Sequence, residues 1–233
     1  MNEPAQETAR AIRSKIPHIE QAKLGPEYSY NSLPLCVIDA VFSIGVRYRN
    51  AQKAVEAWCA SQSPPWPMFG RIPGHVYTIS DMIKATEGKA GEALTERFFG
   101  GNRQRTSTHN GILKADAVLQ FAKALQESQV EDFPDIRDGA RAERASATVR
   151  GIPGQRRGIS FEYLMMLAGD DSNVKADRMI CRFVAEAIGK PSVPPECART
   201  AVIDACSVLA DEFPNLTPRL LDHLIWSYQR QRP

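Results

Sequence analysis

No run of apolar residues in the 233-residue chain approaches the roughly 20 needed to span a bilayer. The opening stretch MNEPAQETARAIRSK also lacks an apolar signal core, so no membrane partner is expected and the expected location is cytoplasmic. Cysteine is sparse: Cys36, Cys59, Cys181, Cys197 and Cys206 form an odd, scattered set without a C-x-x-C pair. Reduced thiols are the better reading than a disulfide framework. Histidine offers no metal set, because His18, His75, His109 and His223 are isolated and lack H-x-x-x-H spacing. Excess charge of one sign is missing as well. The 29 basic and 27 acidic residues leave +2, which neither demands nor excludes a nucleic-acid partner. With 43% hydrophobic residues the chain is too apolar for disorder, and it is long enough for one large core or two small lobes. No window alternates with a two-residue period between turn signals, so the expected class is all-α.

The helical period is present throughout. Ala9, Ile12, Ile16 and Ile19 make a narrow apolar stripe, followed by a loop at Gly25-Pro26. Residues 33–60 read as a largely buried helix or helix pair, and the proline-rich 61–75 as a loop. Ser80 is a candidate cap for a helix from Asp81, and 112–127 is a clear helix with Leu113, Ala117, Phe121, Ala124 and Leu125 on one side. The stretch from there to Arg150 is polar. The C-terminal third is plainest. Ile159 to Ala168 is an apolar helix stopped by Gly169, and Ile180, Phe183, Val184, Ala187 and Ile188 form a stripe stopped by Gly189. Pro194-Pro195 starts a further helix, and Thr217 with Pro218 starts the last one. That helix buries Leu220, Leu221, Leu224, Ile225 and Tyr228, and Trp226 is read as core packing.

Chemistry concentrates in residues 149–184. A Gly-rich turn, Ile152-Pro153-Gly154-Gln155-Arg156-Arg157-Gly158, directly precedes an apolar helix. Tight-turn amides beside a helix N-terminus bind anions, phosphate above all, because their donors and the helix dipole point outward. Arg156 and Arg157 add positive charge there, while Asp177 lies in the first turn of the next helix, where an ionised carboxylate is favoured. Between Ile136 and Ser160, arginines 137, 141, 144, 150, 156 and 157 stand against Asp138 and Glu143, a local +4 hidden by the whole-chain balance. Arginines 47, 49, 103 and 105 are candidates to extend that surface, and His109 sits in a Ser/Thr/Asn-rich loop suited to a DNA backbone.

This segment resembles the helix-hairpin-helix DNA glycosylase superfamily, whose hairpin reads L-P-G-V-G-x-K-T-A and is followed by V-D-T-H-V-x-R-V. Gly154 matches the first hairpin glycine and Asp177 the catalytic aspartate, with Arg182 and Val184 on the R-V that follows. Upstream, Phe42-Ser43-Ile44-Gly45-Val46-Arg47-Tyr48 resembles the family's L-S-x-Q-x-T-D helix, with Lys53-Ala54 in register, and Gly111-Ile112-Leu113-Lys114-Ala115 its G-x-x-x-K-A start. The three matches keep the family's order over roughly residues 30–230. The resemblance implies two helical lobes, 1–30 plus 135–233 and 31–134, with the helix-hairpin-helix at about 149–169 and an active-site cleft between the lobes.

The departures are informative. The hairpin lysine of bifunctional members aligns with Gly158, so no Schiff base to the sugar forms there and strong lyase activity is not expected. Arg156 replaces the second hairpin glycine, and Gly45 the glutamine that many members insert into DNA. The four-cysteine loop of iron–sulfur members is absent, so no cluster is expected. No cofactor is required by the resemblance, which leaves open a monovalent cation at the hairpin.

The resulting expectation is a monomeric, monofunctional glycosylase that acts on double-stranded DNA, extrudes a damaged or modified base and leaves an abasic site. Asp177 is the catalytic candidate; Gly154, Arg156, Arg157, Gly158, Ile159 and Ser160 are the candidates for holding a backbone phosphate. Asp39, Ser43, Tyr48, Phe161 and Tyr163 are the base-pocket candidates. Each has a plainer alternative: a helix-capping carboxylate for Asp177, an ordinary tight connection for the hairpin, a local salt bridge or exposed stripe for Asp39, and core packing for the aromatics. For the whole chain the alternatives are a non-catalytic helix-hairpin-helix DNA-binding module and a helical adaptor without DNA affinity.

Overall fold

The computed structural model describes residues 3–25, 28–46, 48–70 and 76–232. Arg47 and His75, singled out above, lie outside these residues, as does Pro26 of the Gly25-Pro26 loop. Among the described residues the fold is all-α. Its helices are α1 (Glu3–Lys15), α2 (Leu33–Phe42), α3 (Tyr48–Ser61), α4 (Ile79–Ala85), α5 (Gly91–Phe98) and α6 (Lys114–Glu127). Then follow α7 (Phe133–Ile136), α8 (Gly139–Val149), α9 (Ile159–Leu167), α10 (Arg178–Ala187), α11 (Pro195–Leu209) and α12 (Pro218–Arg230). Among the described residues, strand-like pairing is confined to two isolated antiparallel bridges, Tyr30 with Phe69 and Arg105 with Leu113. No helix among the described residues is long and apolar enough to cross a membrane.

The chain divides into two compact units, one of residues up to Gly25 together with those from Gly169 on, the other of the intervening residues. The terminal unit holds α1, a single 3-10 turn (Ile19–Gln21), and α10 to α12. Its core joins Ala9 and Ile12 of α1, and Ile16 just after it, to Phe183 and Val184 of α10, Ala198, Ala201 and Ala205 of α11, and Leu221 and Ile225 of α12. Alanines on α1 and α11 let these two helices approach closely, since a methyl leaves little between the backbones. Thr217 caps α12 by accepting the Leu220 N–H at 3.2 Å, with Pro218 at the first helical position. Trp226 departs from expectation. It is only half-buried, with its ring under Arg230 at 5.1 Å and beside His223 at 6.2 Å, because the inward stripe of α12 is Leu221, Asp222, Ile225 and Gln229.

The central unit is built around α2, all ten residues of which are buried. A helix apolar on every side belongs in a core, and α3, α4, α6 and α9 pack around it. Trp58 of α3 anchors an aromatic cluster with Trp66, Phe98 and Phe99, and Phe99 also stacks on Phe42 of α2. The cap of α4 is Thr78 rather than Ser80. Thr78 and Asp81 bond reciprocally in a capping box, whereas Ser80 gives both its N–H and its hydroxyl to the Glu131 carboxylate. The polar stretch before Arg150 holds two helices, capped by Asp132 and Asp138.

A buried cation closes the C-terminal end of α2. Lys114, at the start of α6, is 1% exposed, and its Nζ donates to the Phe42 and Ile44 carbonyls at 2.9 and 2.7 Å. The last carbonyls of a helix have no intrahelical partner, and the helix dipole favours a cation there. Lys114→Met keeps the apolar stem and removes the ammonium, leaving the buried Phe42 carbonyl and the half-buried Ile44 carbonyl without this donor. A loss of about 3 kcal/mol in urea unfolding is expected, and a change below about 1 kcal/mol would exclude this role.

Candidate functional site

The hairpin between α8 and α9 consists of two successive tight turns. The Ile152 carbonyl accepts from Gln155 N–H and the Gln155 carbonyl from Gly158 N–H, each at 2.9 Å. Gly154 and Gly158 take φ of 86° and 74°, a region that side chains with a Cβ rarely enter. Gln155 and Ser160 are buried and pinned together, the Ser160 hydroxyl donating to Gln155 Oε1. The first intrahelical bond of α9 is from Glu162 N–H to the Gly158 carbonyl at 3.0 Å, so the amides of Ile159, Ser160 and Phe161 have no partner within the helix.

Both glycines also permit close approach. A Cβ on Gly154 would lie 2.5 Å from the Thr106 Cβ, and one on Gly158 would lie 2.9 Å from Arg150 Nη2. The first contact seats the loop between α5 and α6 against the hairpin, a neighbour that nothing in the sequence spacing signalled. That loop is closed by Thr106 N–H to Ile112 O at 2.9 Å and Lys114 N–H to Gln104 O at 2.8 Å. Arg105 Nε adds a bond to the Gly111 carbonyl at 2.8 Å. Its tip, Thr108, His109 and Asn110, is exposed.

The arginines sort by what they touch. Arg141 bonds Asp135 and the Gln129 carbonyl, and Arg137 the Ala168 carbonyl, so both brace the scaffold. Arg103 pairs with Glu96 at 3.1 Å and lies 3.7 Å from Glu92. Arg144, Arg150, Arg156 and Arg157 are exposed along α8 and the hairpin, and Arg49 is exposed on α3. Asp138, near Arg141 and Arg144, is held below the usual carboxylate range chiefly by the Arg141 N–H it accepts.

Asp177 lies in the terminal unit, as the N-cap of α10. Its Oδ1 accepts from Met179 N–H at 2.7 Å and Ile180 N–H at 3.3 Å; among the described residues no hydrogen bond falls on Oδ2. The loop leading to it is fastened at several points. Asp222 Oδ1 accepts Lys175 N–H at 3.1 Å, Arg219 N–H bonds the Asp171 carbonyl at 3.1 Å, and Arg199 reaches the Val174 carbonyl at 3.4 Å. Arg182 joins α10 to α12 through Gln229 Oε1 at 2.6 Å and the Gln229 carbonyl at 3.0 Å. Asp222, Arg219 and Gln229 are not legible from the sequence as site residues, because a polar residue on the buried side of α12 reads as an ordinary helix position.

The base-pocket candidates lie in the central unit. Asp39 is fully buried on α2 and accepts the Tyr30 hydroxyl at 3.0 Å. Burial, then the Asp39 carboxylate and Tyr48, push the Tyr30 hydroxyl far above its ordinary range, so Tyr30 is a hydrogen-bond donor. Tyr48 opens α3 and is half-buried; Ser43 follows α2 with its hydroxyl 3.5 Å from the Ala40 carbonyl. Phe161 is buried with its ring stacked on Phe121 at 6.1 Å, and half-buried Tyr163 packs on the same core. Among the described residues no group of three or more His, Cys, Asp or Glu is placed to hold a metal. Burial pushes the Cys59 thiol up to about 12, which makes it unreactive at neutral pH.

The Asp222 carboxyl is raised well above its usual range, first by burial and then by Asp177, against the pull of Lys175 and Arg219. The folded state thus holds this proton more tightly than the unfolded chain, whose carboxyl titrates near about 3.9. Its stabilising contribution is full below that pH and is lost as pH rises through the folded value. Asp222→Asn retains an acceptor for Lys175 N–H and abolishes the titration. The variant is expected to gain on wild type in urea midpoint between pH 4 and pH 8; a pH-independent difference would contradict this assignment.

No curated protein and no solved structure matches this chain. One family model does match, over residues 6–230, nearly the whole length. The chain therefore belongs to the family described as a domain of unknown function, DUF8548.

Proposed function

We propose that this protein is a monofunctional DNA N-glycosylase that binds double-stranded DNA through the helix-hairpin-helix of α8, residues 150–158 and α9. The observation that carries the reading is the hairpin itself. Two glycine-dependent turns deliver the first amides of α9, with exposed Arg156 and Arg157 in the same short turn. Amides and guanidinium groups so grouped suit a DNA phosphate, with Gly154, Gly158, Ile159 and Ser160 as backbone contacts. The exposed tip at Thr108–Asn110 extends that surface, since Thr106 abuts Gly154.

Asp177 supplies the carboxylate for base release. Capping through Oδ1 orients the group, and Oδ2 is left to face the sugar. The C1′–N bond breaks with its electron pair leaving on the base, and the ionised carboxylate stabilises the cationic sugar. Water then adds its oxygen to C1′ and gives up a proton, first to the carboxylate and finally to the departed base or solvent. Glycine at 158 gives the hairpin no amine to form a Schiff base, and the guanidinium of Arg150 beside it is no nucleophile. Asp39, Ser43 and Tyr48 are the polar groups proposed to read an extruded base, with Tyr30 fixing the Asp39 carboxylate.

The test is an abasic-site assay on genomic DNAs carrying varied modifications, developed with hot alkali. Wild type is expected to give alkali-dependent breaks, and Asp177→Asn to lower their rate by roughly a hundredfold or more with DNA affinity retained. Binding without breaks on any DNA would make the protein a non-catalytic DNA-binding module instead. Separately, Arg156→Ala with Arg157→Ala is expected to weaken binding to all duplex sequences and reduce the salt dependence by roughly two phosphate contacts. An unchanged salt slope would remove the hairpin from the interface.

A further inference from the structure

A second surface of the central unit lies away from the hairpin's own residues. The end of α4, the turn after it and one side of α6 enclose an open groove of about 700 Å³. Half-buried Ile83 and Leu119 line it, together with exposed Lys84, Lys89 and Lys123 and a single carboxylate, Glu87. Three nearby carboxylates are engaged elsewhere. Asp81 closes the α4 capping box, Glu131 takes both donors of Ser80, and Asp116 accepts the Gly91 N–H at 2.7 Å. None of the ion pairs among the described residues engages the three lysines. The groove thus gathers as much net positive charge as the whole chain carries, +2, around an apolar strip.

We infer that this groove docks an acidic peptide segment of a partner protein, one in which Asp or Glu residues flank an apolar side chain. The apolar residue sits on Ile83 and Leu119 while the carboxylates meet the lysines. Charge complementarity of this kind steers association and fixes register. A nucleic-acid strand fits less well. No aromatic ring lines the groove to stack a base, and Glu87 would face the phosphates. Lysine ammoniums are also point charges that need no planar, bidentate partner, which suits carboxylates arriving on a flexible chain. The inference is independent of the glycosylase reading.

The experiment is an amide chemical-shift titration of the full-length, ¹⁵N-labelled protein. The probe is a peptide of about twelve residues, mostly Glu and Asp with interspersed Leu, set against a thymidine oligonucleotide of equal charge. The expected result is peptide-dependent shifts confined to residues 80–90 and 119–126, with little response there to the oligonucleotide. Lys84→Glu, Lys89→Glu and Lys123→Glu together should weaken the peptide roughly tenfold or more. The neutral Lys→Ala set serves if charge reversal at the end of α4 perturbs folding, which the variant's own spectrum reports. Leu119→Ser should also weaken the peptide, because the apolar strip contributes beyond charge. Absent shifts, shifts elsewhere, or undiminished affinity in these variants would overturn the inference. Tighter binding of the oligonucleotide at the same amides would reassign the groove to nucleic acid.

Discussion

The central unit depends on ending a helix inside a core. α2 is buried along its whole length, so its last carbonyls cannot turn to water, and an unpaired buried carbonyl is costly. Lys114 resolves this by sending its ammonium from the start of α6 to Phe42 and Ile44. That bond fixes where α6 begins, and therefore where the loop before it returns. Because the same loop carries Thr106, the position of the hairpin against it follows from the same constraint. A charge at 1% exposure thus sets the geometry of groups that stand in solvent.

Much of the fold was legible because helix ends announce themselves. Gly169 and Gly189 after apolar stripes, and Thr217-Pro218 before one, mark boundaries that the structure reproduces closely. Residues 33–60 are a helix pair, parted by Gly45 at φ 69°. The less legible elements are the short polar ones. α7 and α8 carry their capping aspartates, but their apolar faces consist of little more than Ile136, Ala142, Ala145 and Val149, too narrow a stripe to stand out. Ser80 and Thr78 are equally good caps by residue type; what decides is Glu131, distant in sequence, which claims both donors of Ser80.

The candidate site divides in the same manner. The hairpin glycines were legible because positive φ and close approach admit few other residues. The fastening of Asp177 was not, because Asp222, Arg219 and Arg199 act through backbone groups across long sequence intervals. A carboxylate cap alone is commonplace. One whose preceding loop is tied down at Asp171, Val174 and Lys175 is held in one orientation, as the proposed role requires. The groups that hold such a residue still are the least visible in a sequence, since each reads as an ordinary helix residue until the fold brings it there.

The contact between Gly154 and Thr106 has a consequence for how this surface can vary. Thr106 is confined by the hairpin, and Gly111 is confined by Ser107, whose backbone would lie 2.4 Å from a Cβ there. Thr108, His109 and Asn110 between them are exposed. The loop therefore works as a fixed socket with an interchangeable tip: its ends tolerate almost no change, while its apex can accept new side chains without disturbing the turn beside it. Diversity within the family is expected to concentrate at those three positions.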